Sequence, residues 1–202
     1  MFAFSLVVKD NFGMRTGMSR KSTSTRATIK KALHTSVANS TATGPISIVE
    51  IAEASGINRA TFYYHYKDLK ELLDDVEDDF VQTMADGLKR AIIEGEPAFG
   101  PLIDEAVSDL KKNEAFLSNF AHRMSDMLLG DVRVTITKRA AELLRPYYKE
   151  GPDSGLQIEM LIGGYLARLF ADYYRSRIPS EEKVRLELRL LLSALRLFVK
   201  TA

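Results

Sequence analysis

The sequence predicts an all-α fold of about nine helices, and three observations carry that expectation. Apolar residues recur every three or four positions along most of the chain, the period of one helix face. The strict alternation of apolar and polar residues that marks a half-buried strand is nearly absent. Glycine and proline stand between the periodic segments, at Gly44-Pro45, Gly95 with Pro97, Gly130, Gly151-Pro152 and Pro179, where they interrupt helices.

Taken in order, a first helix is expected from about Thr25 to Val37, with Ile29, Leu33 and Val37 on one face and Lys30, Lys31 and His34 off it. The stretch Thr41-Ala42-Thr43-Gly44-Pro45 ends it, and Pro45 stiffens the approach to the next element. Ser47 and Glu50 stand at capping-box spacing, in which each side chain satisfies an orphan backbone N–H, and they open a second helix from Ile48 to Ala54. Ser55-Gly56-Ile57 turns the chain, and Asn58 caps a third helix reaching about Tyr64. A long fourth helix runs from about Leu69 to Ile93 on a stripe of Leu69, Leu72, Leu73, Val76, Phe80, Met84 and Leu88. Its acids Glu71, Asp74, Asp75, Glu77, Asp78 and Asp79 read as the solvated outer face. Later helices are expected to end near Lys112 and to cover Glu114 to Leu129, Val132 to Lys149, Gly155 to Arg177 and Ser180 to Val199.

Composition narrows the class. Of 202 residues, 46% are apolar and 27% charged, ordinary proportions for a globular chain with a proper core. No apolar stretch approaches the ~20 residues that span a bilayer. Residues 1–23 read as a disordered or loosely packed leader, because the apolar start lacks a basic segment and a cleavage site; Met14 and Met18 are alternative starts. The absence of cysteine excludes disulfides, thiolate metal sites and a cysteine nucleophile, and fits a reducing cytoplasm. Net charge is +1, but residues 1–70 hold ten Lys/Arg against four Asp/Glu, a surplus of six positive charges, and the remainder is acidic by five. A basic third joined to an acidic remainder points to one part that meets a polyanion.

The segment Ile48 to Tyr66, IVEIAEASGINRATFYYHY, concentrates the chemistry. Two short helices crossing at a sharp angle need a small residue at their closest approach, Ala52, and a corner with positive φ, Gly56. Ile51, Ile57 and Phe62 are spaced to seal that corner. This is the pattern of a helix-turn-helix, whose second helix enters the DNA major groove with its N-terminal turn against the bases. Residues 24–67 are therefore expected to form a three-helix DNA-binding domain, and residues 68–202 a C-terminal regulatory and dimerisation domain. Asn58, Arg59, Ala60 and Thr61 occupy the exposed first turn. Arg59 either reads guanine O6 and N7 bidentately or clamps a phosphate, and Thr61 either bonds a phosphate or touches a thymine methyl. Ser47 is either a phosphate contact or only a cap. Phe62 reads as core, and Tyr64 and Tyr66 as packing against the first and fourth helices.

The run Thr61-Phe62-Tyr63-Tyr64-His65-Tyr66-Lys67-Asp68, with Leu72-Leu73 beyond it, resembles the signature of the tetracycline-repressor-like (TetR/AcrR) family of bacterial regulators. The resemblance covers about residues 25–75. It implies that Tyr63 meets backbone or bases one turn into the recognition helix, and that His65 and Lys67 meet phosphates. It also implies a homodimer on a pseudo-palindromic double-stranded operator and a small-molecule effector.

The last helix carries Leu186, Leu188, Leu190, Leu191, Leu192, Leu195, Leu197 and Phe198, more than one stripe, and so is expected to be buried against its own domain and a partner copy. Candidate dimer residues are Gly164, Arg168, Leu188, Leu191 and Leu195. Gly163-Gly164 in mid-helix implies close packing or a pocket wall, since each glycine costs about 1 kcal/mol there relative to Ala. The expected effector pocket is lined by Phe116, Phe120, Met124, Met127, Tyr147 and Tyr165, with His122 or Arg123 as a polar anchor; plain core is the alternative for the Met and aromatic stripe.

An enzyme is the competing class, and its local signatures are missing: no Gly-x-Ser-x-Gly elbow, no phosphate-binding Gly-rich loop and no His-Glu-x-x-His. No metal or other cofactor is implied. A second competitor is a regulator-like fold acting through protein contacts alone, against which Arg59, Tyr63, His65 and Lys67 argue. Repression is favoured over activation, since a bulky dimer on a promoter excludes polymerase without special contacts.

Overall fold

The computed structural model describes residues 20–124, 126–149, 151 and 153–200. Among them are nine α-helices and no strand: α1 Arg20–Ala38, α2 Ile48–Ala54, α3 Arg59–His65, α4 Leu69–Glu94, α5 Glu96–Lys112, α6 Glu114–Arg123, α7 Asp126–Leu144, α8 Ser154–Tyr174 and α9 Glu181–Arg196. Residues 1–19 of the expected leader lie outside the described residues, and 20–23 belong to α1, which starts earlier than its apolar pattern indicates.

The break expected at Gly130 falls elsewhere. Helix α6 stops at Arg123, where Met124 takes an extended conformation (ψ 143°), and Gly130 lies inside α7. A single glycine costs a 19-residue helix only about 1 kcal/mol, which packing overrides, and Met124 is itself buried. Helix α7 gives way to a 3-10 turn at Arg145–Tyr147, and Tyr148 pairs with Val199 in an isolated bridge.

Helices α1, α2 and α3 close around Ile29, Leu33, Val37, Ile46, Ile51, Phe62 and Tyr66. The same core continues along the long α4, which packs against α5, α7 and α9. Gly163 explains one half of the glycine pair: a Cβ there would stand 3.2 Å from Thr137 Cγ2 of α7, so the helices approach too closely for a side chain. Gly164 is exposed and a Cβ there meets nothing within 4 Å.

The acids of α4 are only partly a solvated face: Glu71 and Asp78 are exposed, and the other four are half-buried or buried. Asp79 and Asp75 hold Lys30 Nζ of α1 at 2.5 and 3.5 Å, Asp78 pairs with Arg139 of α7, and Glu77 is only 6% exposed. A lysine buried to 4% exposure would be costly without such partners, so the acids act as anchors between helices. Asp79, although paired, is held above the usual carboxylate range by its burial. Glu77 Oε2 is buried without a hydrogen-bond partner, and burial, with Asp74 nearby, pushes its carboxyl up to about 7 against the pull of Arg139 and Lys70.

The native state therefore binds the Glu77 proton more tightly than the unfolded chain. Its contribution to stability is complete below the ordinary value of 4.5 and is lost as pH rises through about 7. Glu77→Gln should be more stable than wild type at about pH 8, on the order of 2–3 kcal/mol, and less so at about pH 5. Urea midpoints across that range check this; parallel curves for the two proteins would refute it.

Candidate functional site

The corner between α2 and α3 is built by its own sequence. Ser47 Oγ accepts the N–H of Glu50 at 3.2 Å and starts α2. At the other end Gly56 sits at φ 67°, Gly56 N–H reaches the carbonyl of Glu53 at 3.0 Å, and Ile57 N–H reaches that of Ala52 at 3.0 Å. These two bonds are a Schellman ending, which requires the left-handed residue that glycine supplies without strain. Ser55 Oγ donates to the carbonyls of Ile51 and Ala52, and buried Ile51 and Ala52 fill the inside of the corner.

Helix α3 then divides into two faces. Phe62 (0% exposed) and Tyr66 (1%) are core, while Asn58, Arg59, Ala60, Tyr63 (48%) and Tyr64 (82%) face outward. Tyr64 was expected to pack inward with Tyr66; its position two residues from each core aromatic puts it on the opposite side of the helix. Asn58 Oδ1 accepts from Thr61 N at 2.7 Å and from Thr61 Oγ1 at 3.0 Å, so both side chains are committed to capping in the free protein. Tyr63 is braced edge-on against Phe62, with ring centroids 5.8 Å apart. His65 is half-buried, and its burial together with nearby Arg26 holds its imidazole below the usual histidine value. Lys67 is exposed just before α4, where Asp68 Oδ1 accepts Glu71 N at 2.9 Å and Glu71 Oε2 accepts the backbone N–H of Lys67 at 2.6 Å.

The unit is tied to α4 from beneath. Tyr66 Oη donates to Asp75 Oδ2 at 2.6 Å, and burial with that carboxylate pushes the phenol far above its usual value, keeping it a donor. Arg26 of α1 lies 4.5 Å over the Tyr66 ring and donates to the carbonyl of His65 at 3.0 Å. It is also tied to α6, which sequence reasoning had placed in the effector pocket. Arg123 donates to Glu50 Oε1 and Oε2 at 2.9 and 2.7 Å, and to the carbonyls of Gly44 and Pro45 at 2.8 and 3.3 Å. Glu50 thus caps nothing; only the Ser47 half of the capping box forms, and Arg123 holds the Glu50 carboxyl below its usual range. Asn119 Nδ2 donates to the carbonyls of Val37, Ala38 and Ser40 at 2.9, 3.4 and 3.2 Å, and His34 Nε2 stands 2.8 Å from Asn113 Oδ1. These partners lie more than seventy residues apart in sequence, so no local pattern signals them.

No family model matches the sequence, and no curated protein does. Solved structures do match. The dihydroxyacetone kinase operon activator DhaS is 16% identical over 87% of this chain and 98% of its own, with a TM-score of 0.52. A TetR-family transcriptional regulator from Mesorhizobium loti is 17% identical over 91% of this chain and 100% of its own, also at 0.52. A TetR-family regulator from Marinobacter aquaeolei is 19% identical over 88% and 98%, at 0.48. The chain has the TetR-family fold.

Within this TetR-family fold an apolar cavity of about 100 Å³ lies between α4, α5, α6, α8 and α9. Phe80, Met84, Leu102, Leu117, Tyr165 and Leu191 are among its walls, and Asp109 is the one charged lining residue. Of the expected pocket residues only Tyr165 lines it. Phe116, Phe120 and Met124 are buried without lining it; Phe116 stacks on His34 of α1 with ring centroids 4.6 Å apart, so the face of α6 that looked like a pocket packs toward α1. Tyr147 sits in the 3-10 turn beside the last residues, its carbonyl accepting from Lys200 N, and the Met127 side chain lies outside the described residues. Spacing marks a buried face but not the helix that covers it.

The expected dimer residues divide likewise. Leu195 is 1% exposed in the chain's own core, and Leu188 and Leu191 line the cavity. Gly164 and Arg168 are exposed, and Arg168 Nε binds Glu187 Oε1 at 2.5 Å. The leucines left exposed on α9 are Leu186 and Leu190, with Leu197 just beyond, and α8 exposes Leu156 and Met160 in line with Gly164. Among the described residues no helix is long and apolar enough to cross a membrane.

The two neighbouring tyrosines test the division of α3. Tyr66→Phe should cost about 1–3 kcal/mol by removing the phenol's bond to Asp75, which keeps only Lys30 as a partner, while Tyr64→Ala should stay within about 0.5 kcal/mol of wild type. Thermal unfolding measures both; equal effects would mean that α3 is rotated from this placement.

Proposed function

We propose that this protein is a DNA-binding transcriptional regulator rather than an enzyme, acting in the cytoplasm as a homodimer on a pseudo-palindromic operator. The observation that carries this reading is the outward face of α3, where Arg59, Ala60, Tyr63 and Tyr64 stand clear of the core beside Lys67. A recognition helix needs such a face, with a guanidinium for base edges or phosphates and hydroxyl groups within one turn of it. Ser47, Asn58, Thr61 and His65 flank it, and we assign them supporting contacts. Asn58 and Thr61 must exchange their mutual bonds for contacts to DNA.

Dimerisation is assigned to α8 and α9. Leu156, Met160, Leu186, Leu190 and Leu197 are exposed, and large apolar side chains in that number on two packed helices favour a covering partner. A two-fold pair would set two recognition helices one DNA turn apart. The cavity is assigned to an effector. Its walls are almost wholly apolar, and its size suits a molecule of about one aromatic ring, since a dry 150 Å³ cavity is known to hold benzene. Effector binding then shifts the protein from its DNA-bound pose, with α4, which lines the cavity and anchors α3 through Asp75, as one connection. Repression is the favoured sign, because excluding polymerase demands only bulk; the activator DhaS shares the fold and no more than that.

Selection of bound sequences from random DNA is the decisive experiment, with a symmetric site expected and no enriched sequence overturning the reading. On the selected site Arg59→Ala should lose about 1–3 kcal/mol and relax preference at one position. Lys67→Ala should weaken all sequences alike and reduce the salt slope by about one; an unchanged slope would exclude Lys67 from the phosphate contacts. Leu190→Glu should shift the protein to a monomer in sedimentation, and an intact dimer would move the interface elsewhere.

A further inference from the structure

We propose that Arg123 is the positioning residue of the helix-turn-helix, holding α2 in its DNA-binding pose from α6 without touching DNA itself. The inference deepens the regulatory reading and rests on it. Arg123 is 5% exposed, and its side chain reaches out of α6 to make two bonds to the Glu50 carboxylate on α2 and two to the carbonyls of Gly44 and Pro45 just before α2. Four residues back on the same helix, Asn119 takes the carbonyls of Val37, Ala38 and Ser40, at the end of α1. Helix α6 therefore grips both ends of the α1–α2 connection.

That connection has little else to hold it. Thr41 to Pro45 are exposed, and α2 is seven residues long, too short to persist by its own hydrogen bonds. Ile46, Ile51 and Ala52 fix the depth of α2 in the core, but apolar burial is non-directional and leaves rotation about the buried side weakly specified. A bidentate guanidinium–carboxylate pair is directional: its two parallel bonds fix the carboxylate plane as well as its distance. Glu50 is the third residue after Ser47, so the pair sets the orientation of the first turn of α2 relative to α6. A buried ion pair is weak evidence for stability in itself, and its best-attested use is to specify one arrangement among several.

The test uses the full-length protein and its selected operator. Arg123→Met should reduce operator affinity about tenfold or more while leaving the salt slope unchanged, because no phosphate contact is removed. Amide exchange should rise in residues 41–54 and not in α4 or α8. Arg123→Lys should restore only part of the affinity, since an ammonium cannot grip both carboxylate oxygens in the same fork. Glu50→Gln combined with Arg123→Met should bind little worse than either alone, the non-additivity of residues that act together. Should Arg123→Met lower the unfolding midpoint while the folded protein keeps wild-type operator affinity, or should the two losses add, the pair is merely structural and the proposal is overturned. If the wild type itself selects no sequence, the regulatory reading fails first. Exchange in residues 41–54 then still decides whether Arg123 holds α2, and unchanged protection in Arg123→Met refutes that too.

Discussion

The burial of one side of α3 is the constraint on which the rest depends. Seven residues cannot sustain a helix in water, so α3 exists because Phe62 and Tyr66 are packed away and Tyr66 is bonded at its tip. Once those two rings point inward, the helical period turns Tyr64 to the opposite side, while Arg59 and Tyr63 flank the buried stripe and stay exposed. The candidate DNA surface is thus a by-product of a core decision. The cation of Arg26 over the Tyr66 ring and its bond to the His65 carbonyl secure the same side from α1.

The charge asymmetry has a more divided role than the totals suggest. Of the basic residues in the first seventy, Lys30 of α1 is held by Asp75 and Asp79 and Arg26 of α1 lies 3.8 Å from Glu71, while Lys70 pairs with Asp74 within α4 itself. Part of the positive surplus is therefore consumed in fastening the first three helices to α4, and the part that faces outward centres on Arg59 and Lys67. The acids of α4 make this possible and explain why they crowd its first half. Glu77 is the exception, a carboxyl buried beyond the reach of a hydrogen bond at Oε2 that raises its own affinity for a proton.

Helices α8 and α9 serve two surfaces at once. Their inner leucines close the cavity, with Leu188, Leu191 and Leu192 on α9 and Leu166 and Leu169 on α8 among its walls, while their outer ones remain exposed. A change in what fills the cavity and a change in what covers the outer face thus act on the same two helices. On the other side of the cavity Leu117 belongs to α6, the helix that carries Asn119 and Arg123 to α1 and α2.

The sequence by itself determined the helical class, the corner at Gly56, the outward N-terminal turn from Asn58 to Thr61 and the core role of Phe62, because each follows from local period or backbone conformation. Apolar period also found the buried face of α6 and the excess of leucine on α9. It did not find what those faces meet: period says that a side is covered, and only packing says by which helix. Hence Phe116 proved to face α1, Leu188 and Leu191 to form a cavity wall, and Tyr64 to be a surface residue. The tertiary structure alone decided that Glu50 answers to Arg123 rather than to its own helix end. A carboxylate gains more from a buried guanidinium four helices and seventy-three residues away than from one backbone N–H, and no window along the chain contains both.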